Sequence, residues 1–490
     1  MIDIAQTAYG DLGGLRDGGV TVFRGVPYAA PPVGERRFAA PQPPTTWTGL
    51  RDATAHGPIA PQAPSRLAVA MGGFTRPMDE DCLTLTIWTP AIDHGARPVL
   101  VWLHGGAWVS GAGSLDWYDG ATLAREGNMV VVGVNYRLGA LGYLKHPDLP
   151  IADPGTQDQA AALAWVAENI TGFGGDPGRV TLGGQSAGAA SIGRLLLDPT
   201  ARLHFHQVIL QSGGFGRAPL TVTDAHAITA QYCGLLNIDE GASDAIARLQ
   251  AVPVEQLLAC QGLLAQARAR FGETTPPFMP TLPEATTEAA LIGRIASAAQ
   301  PKPVLIGATH DEVHAFFAGN PAMATPDPTA YRERFAGLGG DETAYRRRRP
   351  AGSAMDWLAD LNSDHTFLWP TMRLAEAISG AGGHAYAYQF DWAPAGSPFK
   401  ACHCIDLPFV FGNFNQWPDA PMLAGGDPNE IAALSALIRA CWAGFIGTGA
   451  PGLAGMDWPR YNTSTRPTMR LGAVCAIDGD PAGLSWRAQA

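Results

Sequence analysis

The chain alternates short, continuous apolar runs with longer amphipathic segments. Six runs rich in valine, isoleucine and leucine cover residues 98–103, 129–134, 180–182, 207–210, 303–306 and 385–390. Most are continuous rather than alternating, which is typical of strands buried on both faces. The clearest helical pattern covers residues 158–170, where Leu163, Val166 and Ile170 lie on one face. Because strands and helices alternate, we predict an α/β fold with a central, mostly parallel sheet and helices on both faces.

Two further segments, near residues 222–300 and 326–380, carry helical patterns with few strand signals. We expect both to be helical insertions over the sheet, where the cover of an active site comes from. Length alone suggests about three domains, but large α/β domains exceed that rule. We therefore predict a single large domain over residues 1–490. The first sixty or so residues are rich in proline and glycine and predict an irregular region with short strands.

The charge balance excludes some classes of partner. The chain carries a formal net charge of −11, with 46% hydrophobic and 16% charged residues. This argues against binding to nucleic acid or to anionic membranes. The basic run 346–349 lies in a polar stretch, which favours a solvated surface segment over a binding patch. The sequence has no stretch of 18 apolar residues, so we predict no membrane span.

The first residues bear on the cellular location, and the cysteines bear on disulfide formation and on metal binding. Residues 1–6 have neither the basic nor the apolar region of a signal peptide, so we expect a cytoplasmic protein. The seven cysteines are scattered and odd in number, which favours reduced thiols over a disulfide framework. Cys402, His403 and Cys404 form a possible metal-site fragment, but it lacks a second ligand pair at zinc spacing.

The pentapeptide 184–188, Gly-Gln-Ser-Ala-Gly, is the strongest chemical signal. It follows a β-like run and precedes a helix-compatible stretch of small residues, 189–197. Strand, sharp turn and helix are the context of a nucleophile elbow, which would hold the hydroxyl of Ser186 towards a substrate. Glycines on both sides would relieve the crowding of that turn. Because 59 of the 490 residues are glycine, the alternative is an ordinary serine in a glycine-rich turn.

A serine nucleophile needs donors for the oxyanion that forms on the substrate. The segment His104-Gly105-Gly106 directly follows the predicted strand 99–103, so the N–H groups of the two glycines could face a cleft. The N–H of Ala187, just after the serine, would be the next donor. The alternative is a plain turn at the end of a strand.

The serine also needs a base, and the base an orienting acid. Glu312 comes just past the predicted strand 303–308, with Asp311 as a local competitor. A metallic alternative is that His310 and His314, four residues apart, bind zinc with Glu312. In the H-E-x-x-H pattern the glutamate directly follows the first histidine, and here it comes one residue later.

His403 is the candidate base. It lies in a loop of small residues after the predicted strand 385–390, although the chain has 12 histidines and a lone one is usually structural. The chain order Ser186, Glu312, His403 is that of the α/β-hydrolase topology.

With these motifs assembled, the chain resembles the type-B carboxylesterases, the family of the cholinesterases and the bacterial para-nitrobenzyl esterases. Residues 173–188 match the family's serine signature at every defined position. Residues 80–85 resemble its second signature, from which this chain departs at Thr86. Family-like segments occur along the chain from about residue 5 to about 475. They include residues 23–32, 135–139, 158–170, 211–213 and 407–412.

The resemblance implies the α/β-hydrolase fold and a site without metal or cofactor. It assigns a catalytic triad of Ser186, Glu312 and His403, favouring Glu312 over Asp311. It also assigns an oxyanion hole formed by the N–H groups of Gly105, Gly106 and Ala187. Besides Thr86, three positions depart from the family pattern. They are Cys82, which has no cysteine partner before Cys233, Gln185 in place of a frequent glutamate, and Asp406 in place of a glutamate. Residues 278–283 also replace the Pro-Val-x-Asp-Gly stretch of many members.

We therefore expect a serine carboxylesterase that hydrolyses small-molecule esters through an acyl-enzyme, as a monomer or a small homo-oligomer. An amidase, a lipase or a polyester-active hydrolase would use the same triad, and a neuroligin-like binding protein would use the fold without chemistry. Six aromatic side chains near motif ends could line the pocket or equally pack in the core. They are Trp108, Trp117, Phe271, Phe278, Phe316 and Phe317.

Overall fold

A large twisted sheet runs through the molecule. The computed structural model describes residues 1–149, 153–217, 220–282, 286–452 and 457–483. The strands in these ranges are β1 (Ile2–Thr7), β2 (Gly10–Asp17), β3 (Val20–Pro27), β4 (Leu50–Asp52), β5 (Thr84–Thr89), β6 (Arg97–Leu103), β7 (Val130–Val134), β8 (Gly175–Gln185), β9 (Gln207–Gln211), β10 (Leu220–Thr221), β11 (Thr281–Leu282), β12 (Val304–Thr309), β13 (Ala385–Phe390), β14 (Pro467–Leu471) and β15 (Ala476–Gly479).

Helices occupy much of the chain between these strands. They are α1 (Ala68–Met71), α2 (Ala121–Gly127), α3 (Gly139–Tyr143), α4 (Pro154–Asn169), α5 (Ala187–Leu197), α6 (Val222–Leu235), α7 (Ala245–Ala251), α8 (Val254–Arg268), α9 (Glu288–Ala299), α10 (His314–Phe317), α11 (Pro321–Ala324), α12 (Pro328–Gly337), α13 (Glu342–Arg348), α14 (Ala354–Ser363), α15 (Trp369–Gly380), α16 (Leu407–Phe411) and α17 (Pro428–Thr448). A π-helical turn, Asp364–Leu368, joins α14 to α15.

The sheet has the strand order β1-β2-β3-β5-β7-β6-β8-β9-β12-β13-β14-β15, with β4 beside β2. Every pair from β7 to β14 is parallel, and the strands at both edges are antiparallel. The predicted α/β class and mostly parallel sheet are confirmed, and each of the six apolar runs falls on a strand.

The N-terminal strands are longer and more regular than the sequence suggested. β1, β2 and β3 have 6, 8 and 8 residues and extend the central sheet as an antiparallel edge. Glycines weaken the strand signal there. Gly14 shows why one is needed, since a Cβ at that position would lie 2.7 Å from the ring of Phe23.

The continuous apolar runs are buried on both faces of the sheet, as predicted. In β6, Val99 and Val101 belong to one core, whereas Leu100 and Trp102 belong to the other. The first core packs under α4, α5, α9 and α15, and the second under α2, α16 and α17. Helices on both faces therefore explain why these strands read as uninterrupted apolar sequence.

Helices also fill the two predicted insertions. Helices α6 to α9 lie within 222–300, of which residues 283–285 are outside the described ranges, and α12 to α15 cover most of 326–380. α3, α6 and α8 share a third apolar cluster, in which Tyr232 packs edge-on against Phe278. The single-domain organisation stays a prediction.

One described helix, α17, has the length and hydropathy of a membrane span. The sequence criterion of an uninterrupted apolar stretch missed it because Glu430 and Arg439 lie within it. In the structure, Ile438, Trp442 and Phe445 of this helix are buried in the second core. A buried core helix passes the same length and hydropathy test, so α17 is weak evidence for a span.

Candidate active site

Ser186 lies in the sharp turn between β8 and α5. Its backbone has φ 57° and ψ −122°, a conformation that residues with a Cβ rarely adopt. The turn is held on both sides, because the Ser186 N–H donates to the Gln211 carbonyl (2.8 Å) and the Ser186 carbonyl accepts from the Ala190 N–H (2.9 Å). This strained turn raises the serine above the end of the strand.

The flanking glycines are required by the approach of another strand. A Cβ at Gly184 would lie 2.9 Å from the carbonyl oxygen of Leu103, and a Cβ at Gly188 would lie 2.0 Å from the same oxygen. Leu103 is the last residue of β6, which pairs with β8. The elbow therefore depends on two glycines because the end of the neighbouring strand occupies the space of their side chains.

Ser186, His403 and Glu312 form one hydrogen-bonded chain. His403 Nε2 lies 2.8 Å from Ser186 Oγ, and His403 Nδ1 contacts Glu312 Oε2. The other carboxylate oxygen, Oε1, accepts from the Thr309 N–H at 2.9 Å. His403 and Glu312 are completely buried, whereas Ser186 keeps 7% of its surface exposed. With Nδ1–H donated to the carboxylate, Nε2 is free to accept the serine proton.

The sheet brings these residues together from distant parts of the sequence. Ser186 follows β8, Glu312 follows β12, and His403 lies in the loop after β13, all at the carboxyl edge of parallel strands. The two loops are also tied directly, because the His403 N–H donates to the Glu312 carbonyl oxygen at 3.1 Å. Ligands of open α/β sheets bind at this edge.

Two aromatic rings and an amide surround the imidazole of His403. The ring centroids of Phe316 and Phe367 lie 5.3 and 4.9 Å from that of His403. Gln185 Nε2 lies 3.2 Å from His403 Nε2 and 3.3 Å from Cys404 Sγ. A neutral amide therefore stands beside the imidazole of His403.

The loop after β6 closes against the serine. A Cβ at Gly105 would lie 3.1 Å from Ser186 Cβ, and Gly106 has φ +117°. The Gly106 carbonyl turns away into its own loop and accepts from the N–H groups of Val109 and Ser110. Among the described residues, the N–H groups of Gly105 and Gly106 donate to no backbone carbonyl, and that of Ala187 donates to none outside its own helix.

His104 fixes the base of that loop. Its Nδ1 lies 2.7 Å from the Gly105 carbonyl oxygen, and its ring stacks on Tyr136 at 4.3 Å. Burial lowers the pKa of the His104 imidazole to about 4. The neutral ring therefore donates its Nδ1–H to that carbonyl at neutral pH, which leaves the carbonyl unable to swing towards the cleft.

A second buried carboxyl lies behind the site. Asp406 Oδ2 accepts from Gln211 Nε2 at 2.8 Å, and Gln211 Oε1 accepts from the Trp442 indole at 3.0 Å. Burial, with a further contribution from the Glu312 carboxylate, raises the pKa of Asp406 to about 6. The sequence analysis marked Asp406 as a departure, and the structure ties it to Gln211, whose carbonyl holds the elbow.

The histidines of the zinc alternative face different partners. His310 pairs with Asp311 (3.1 Å), and His314 Nε2 with Asp356 (3.2 Å), while Glu312 faces His403. Possible ligand atoms of Asp311, His314 and Asp360 do lie within 4.8 Å of one another. The guanidinium of Arg349 already pairs with both aspartates, so this cluster carries its own cation.

A cavity of about 330 Å³ opens over Ser186. Of the six aromatic candidates only Phe316 is among its described lining residues. Trp108 instead donates its indole N–H to Ser191, and Trp117 stacks on Trp417 at 5.0 Å. No motif in the sequence indicated the charged part of the lining, in which arginines predominate. Those residues are Arg66, Arg217, Arg268, Arg270 and Glu273.

The fold and this arrangement together define the α/β-hydrolase class. The sequence matches the carboxylesterase family over residues 3–478, and the chain belongs to that family. It is 38% identical to phenmedipham hydrolase of Pseudarthrobacter oxydans over 479 residues, which cover 96% of this chain and 95% of the relative. It is 37% identical to para-nitrobenzyl esterase of Bacillus subtilis (strain 168), with 98% of this chain and 96% of the relative covered.

Solved structures agree with this assignment. A para-nitrobenzyl esterase structure superposes with a TM-score of 0.87 at 35% identity, and a carboxylesterase of Geobacillus stearothermophilus with 0.85 at 33%, each covering 99% of both chains. The predicted resemblance and the α/β-hydrolase fold are confirmed. The protein is a carboxylic-ester hydrolase, and its substrates are small esters.

Proposed function

We propose that the protein cleaves carboxylic esters through an acyl-enzyme on Ser186. The observation that carries this proposal is the hydrogen-bonded chain from Ser186 through His403 to Glu312, at the floor of the cavity. A buried imidazole that contacts a hydroxyl on one side and a carboxylate on the other is the arrangement that activates a serine.

In the first step, Ser186 Oγ attacks the ester carbonyl while His403 Nε2 takes the serine proton. The imidazole becomes positively charged, and the carboxylate of Glu312 stabilises that charge and keeps Nδ1 protonated. The Thr309 N–H, which donates to Glu312, holds the carboxylate in the orientation this needs.

The carbonyl oxygen becomes an oxyanion in this step and needs donors placed in advance. The N–H groups of Gly105, Gly106 and Ala187 border the serine and donate to no backbone carbonyl of another described segment. Their role as the oxyanion hole is supported by the closeness of the loop to Ser186 and by the outward turn of the Gly106 carbonyl.

Collapse of the intermediate releases the alcohol, which takes its proton from His403. Water then enters, loses a proton to His403 and attacks the acyl-enzyme, and the acid leaves as Ser186 is regenerated. Each transfer uses the same Nε2 atom, so one base serves both halves of the reaction.

Amide, lipid or polyester substrates would be cleaved by the same groups, and the shape of the cavity decides among leaving groups. A para-nitrobenzyl ester is a suitable first substrate, because one relative is named for that activity. A non-catalytic binding role is disfavoured, because all three groups of the triad are present and in contact.

Replacing the serine tests this proposal. We expect Ser186→Ala to lower kcat by about 10⁴-fold or more, and a fluorophosphonate to label Ser186 covalently in the parent. Ser297→Ala is the matched control, because that serine only donates to the Gly293 carbonyl within α9. A folded Ser186→Ala variant with near-parental activity, or an unlabelled parent, would contradict the proposal.

A further inference from the structure

The cavity over Ser186 is positively charged in a strongly acidic protein. Its described lining includes four arginines and one glutamate, whereas the whole chain has a net charge of −11. Neighbouring cations repel one another, and that repulsion costs electrostatic free energy unless an anion offsets it. Two of these arginines, Arg66 and Arg217, lie close enough for the charge of one to act on the other.

Arg217 lies in the loop after β9, beside the catalytic groups. Its guanidinium carbon lies 5.3 Å from the ring centroid of Phe367, whose ring in turn packs at 4.9 Å on that of His403. Its Nη2 donates to the Thr274 hydroxyl at 2.9 Å. Its Nε is buried and has no hydrogen-bond partner among the described residues. A buried, unsatisfied N–H of a guanidinium is costly, which indicates a place for an acceptor.

Arg66 reaches the same point from the mouth of the cavity. Its Nη2 donates to the Thr274 carbonyl oxygen at 2.8 Å, so the two guanidinium groups converge on one residue. In the described parts of the chain, no carboxylate lies within 4 Å of either one. The neighbouring acid, Glu273, pairs with Arg334 at 3.2 Å instead.

Both groups remain charged in this position. Burial, together with the charge of Arg66, lowers the pKa of Arg217 to about 10, which still leaves it protonated at neutral pH. Two like charges held together without an anion repel each other, and a carboxylate between them would relieve that repulsion through charge-assisted hydrogen bonds.

We propose that Arg217 and Arg66 form an anion subsite in the cavity, which makes the enzyme selective for esters that carry a free carboxylate. This inference rests on the proposed function, since the subsite binds a substrate that Ser186 attacks. A carboxylate can belong to the acyl part, as in a monoester of a dicarboxylic acid, or to the alcohol part, as in an acetoxybenzoate. The chemistry recognised is the same in both cases.

A different role for Arg217 would be electrostatic. The nearby carboxylate of Glu312 attracts the positive charge of Arg217 and opposes the lowering of the Arg217 pKa. If that were its main role, loss of Arg217 would slow neutral and anionic esters equally. The ratio of the two rates therefore separates a specificity role from a general one.

The test compares pairs of esters that differ in the carboxylate. Ethyl hexanoate is compared with monoethyl adipate for the acyl side, and phenyl acetate with 3-acetoxybenzoate for the alcohol side, by acid release in a pH-stat. We expect Arg217→Met to lower the anionic-to-neutral ratio of kcat/KM by about 10- to 100-fold for one pair, the range of a charge-assisted hydrogen bond. Arg217→Lys should keep part of the ratio, and Arg66→Met should lower it less.

Arg347→Met is the matched control, because that arginine is mostly exposed and lies in α13. An unchanged ratio in Arg217→Met for both pairs would overturn the proposal, as would an equal loss for neutral and anionic esters. A parent inactive on all four esters would instead contradict the proposed function.

A binding measurement distinguishes a failure of the anion subsite from a failure of the proposed function. Adipate should raise the Tm of Ser186→Ala, which cannot turn over, and should not raise that of Ser186→Ala combined with Arg217→Met. The absence of a shift in the single variant would count against the anion subsite even if ester hydrolysis were established.

Discussion

Gly106→Ala should impair catalysis while leaving the fold in place. A Cβ at this position would lie 1.9 Å from the carbonyl oxygen of Ser110, where ordinary contact begins near 3.4 Å. The loop must therefore shift by about 1.5 Å to admit the methyl group. Gly106 also has φ +117°, which strains any residue with a Cβ.

The shift acts directly on the proposed oxyanion donors. The Gly106 carbonyl accepts from both Val109 and Ser110, so moving Ser110 reorients the peptide groups on both sides of Gly106. A misplacement of about 1 Å costs about 10²-fold in rate, and the loss of one oxyanion donor costs about 10²- to 10³-fold. We expect kcat to fall by about 10²- to 10³-fold, with a smaller change in KM.

The measurement is steady-state hydrolysis of para-nitrophenyl acetate, with circular dichroism and thermal unfolding to establish the folded fraction. Gly293→Ala is the matched control, since Gly293 lies in α9 with open space around its Cβ position. That variant should retain parental kcat and be slightly more stable. A folded Gly106→Ala enzyme with kcat within about threefold of the parent would refute the assignment of this loop.

Three further predictions concern folding and stability. Gly188→Ala should yield little soluble protein, measured as the folded fraction on expression, because its Cβ would lie 2.0 Å from the carbonyl oxygen of Leu103, which belongs to the central strand β6 and not to a loop. For Asp406, burial raises the folded pKa to about 6 from an ordinary 3.8, so the folded state binds this proton more tightly than the unfolded state. Stability relative to Asp406→Asn should therefore fall by roughly 2 kcal/mol as pH rises from about 4 to 7, which Tm values at both ends would reveal; a constant difference would contradict it. Arg349→Met should lower the unfolding free energy, measured by denaturant titration, by about 2–4 kcal/mol, because two buried carboxylates lose the guanidinium that they share. Arg347 is exposed, so Arg347→Met should cost less than about 0.5 kcal/mol in the same titration.

The central strands and the elbow could be predicted because their signals are local. β6 and β7 are buried on both faces, so their sequences are continuously apolar, and the elbow carries glycines that the backbone of Leu103 makes necessary. The N-terminal strands gave a weaker signal, since they lie at the edge of the sheet and contain glycines such as Gly14, which admits the ring of Phe23.

Local sequence signals could not distinguish Asp311 from Glu312 as the partner of the histidine. Both follow β12, and spacing alone left them open. In the structure Asp311 turns to Arg349, and Glu312 turns to His403. The partner of Asp311 comes from the basic run 346–349, which the sequence analysis expected to be solvated. Arg346 and Arg347 are largely exposed, but Arg348 and Arg349 pair with buried aspartates. A charge run says nothing about partners that lie far away in the sequence.

The same limit governs the substrate. Ser186, Glu312 and His403 lie at the ends of sheet strands and in the chain order of the fold, so a motif can locate them. Arg66 and Arg217 come from separate loops and meet only because both bind Thr274, a contact that no spacing rule encodes. Reaction type and substrate charge are therefore set by different parts of the chain. Relatives that keep the elbow but change these loops should keep ester hydrolysis and lose the preference for a carboxylate.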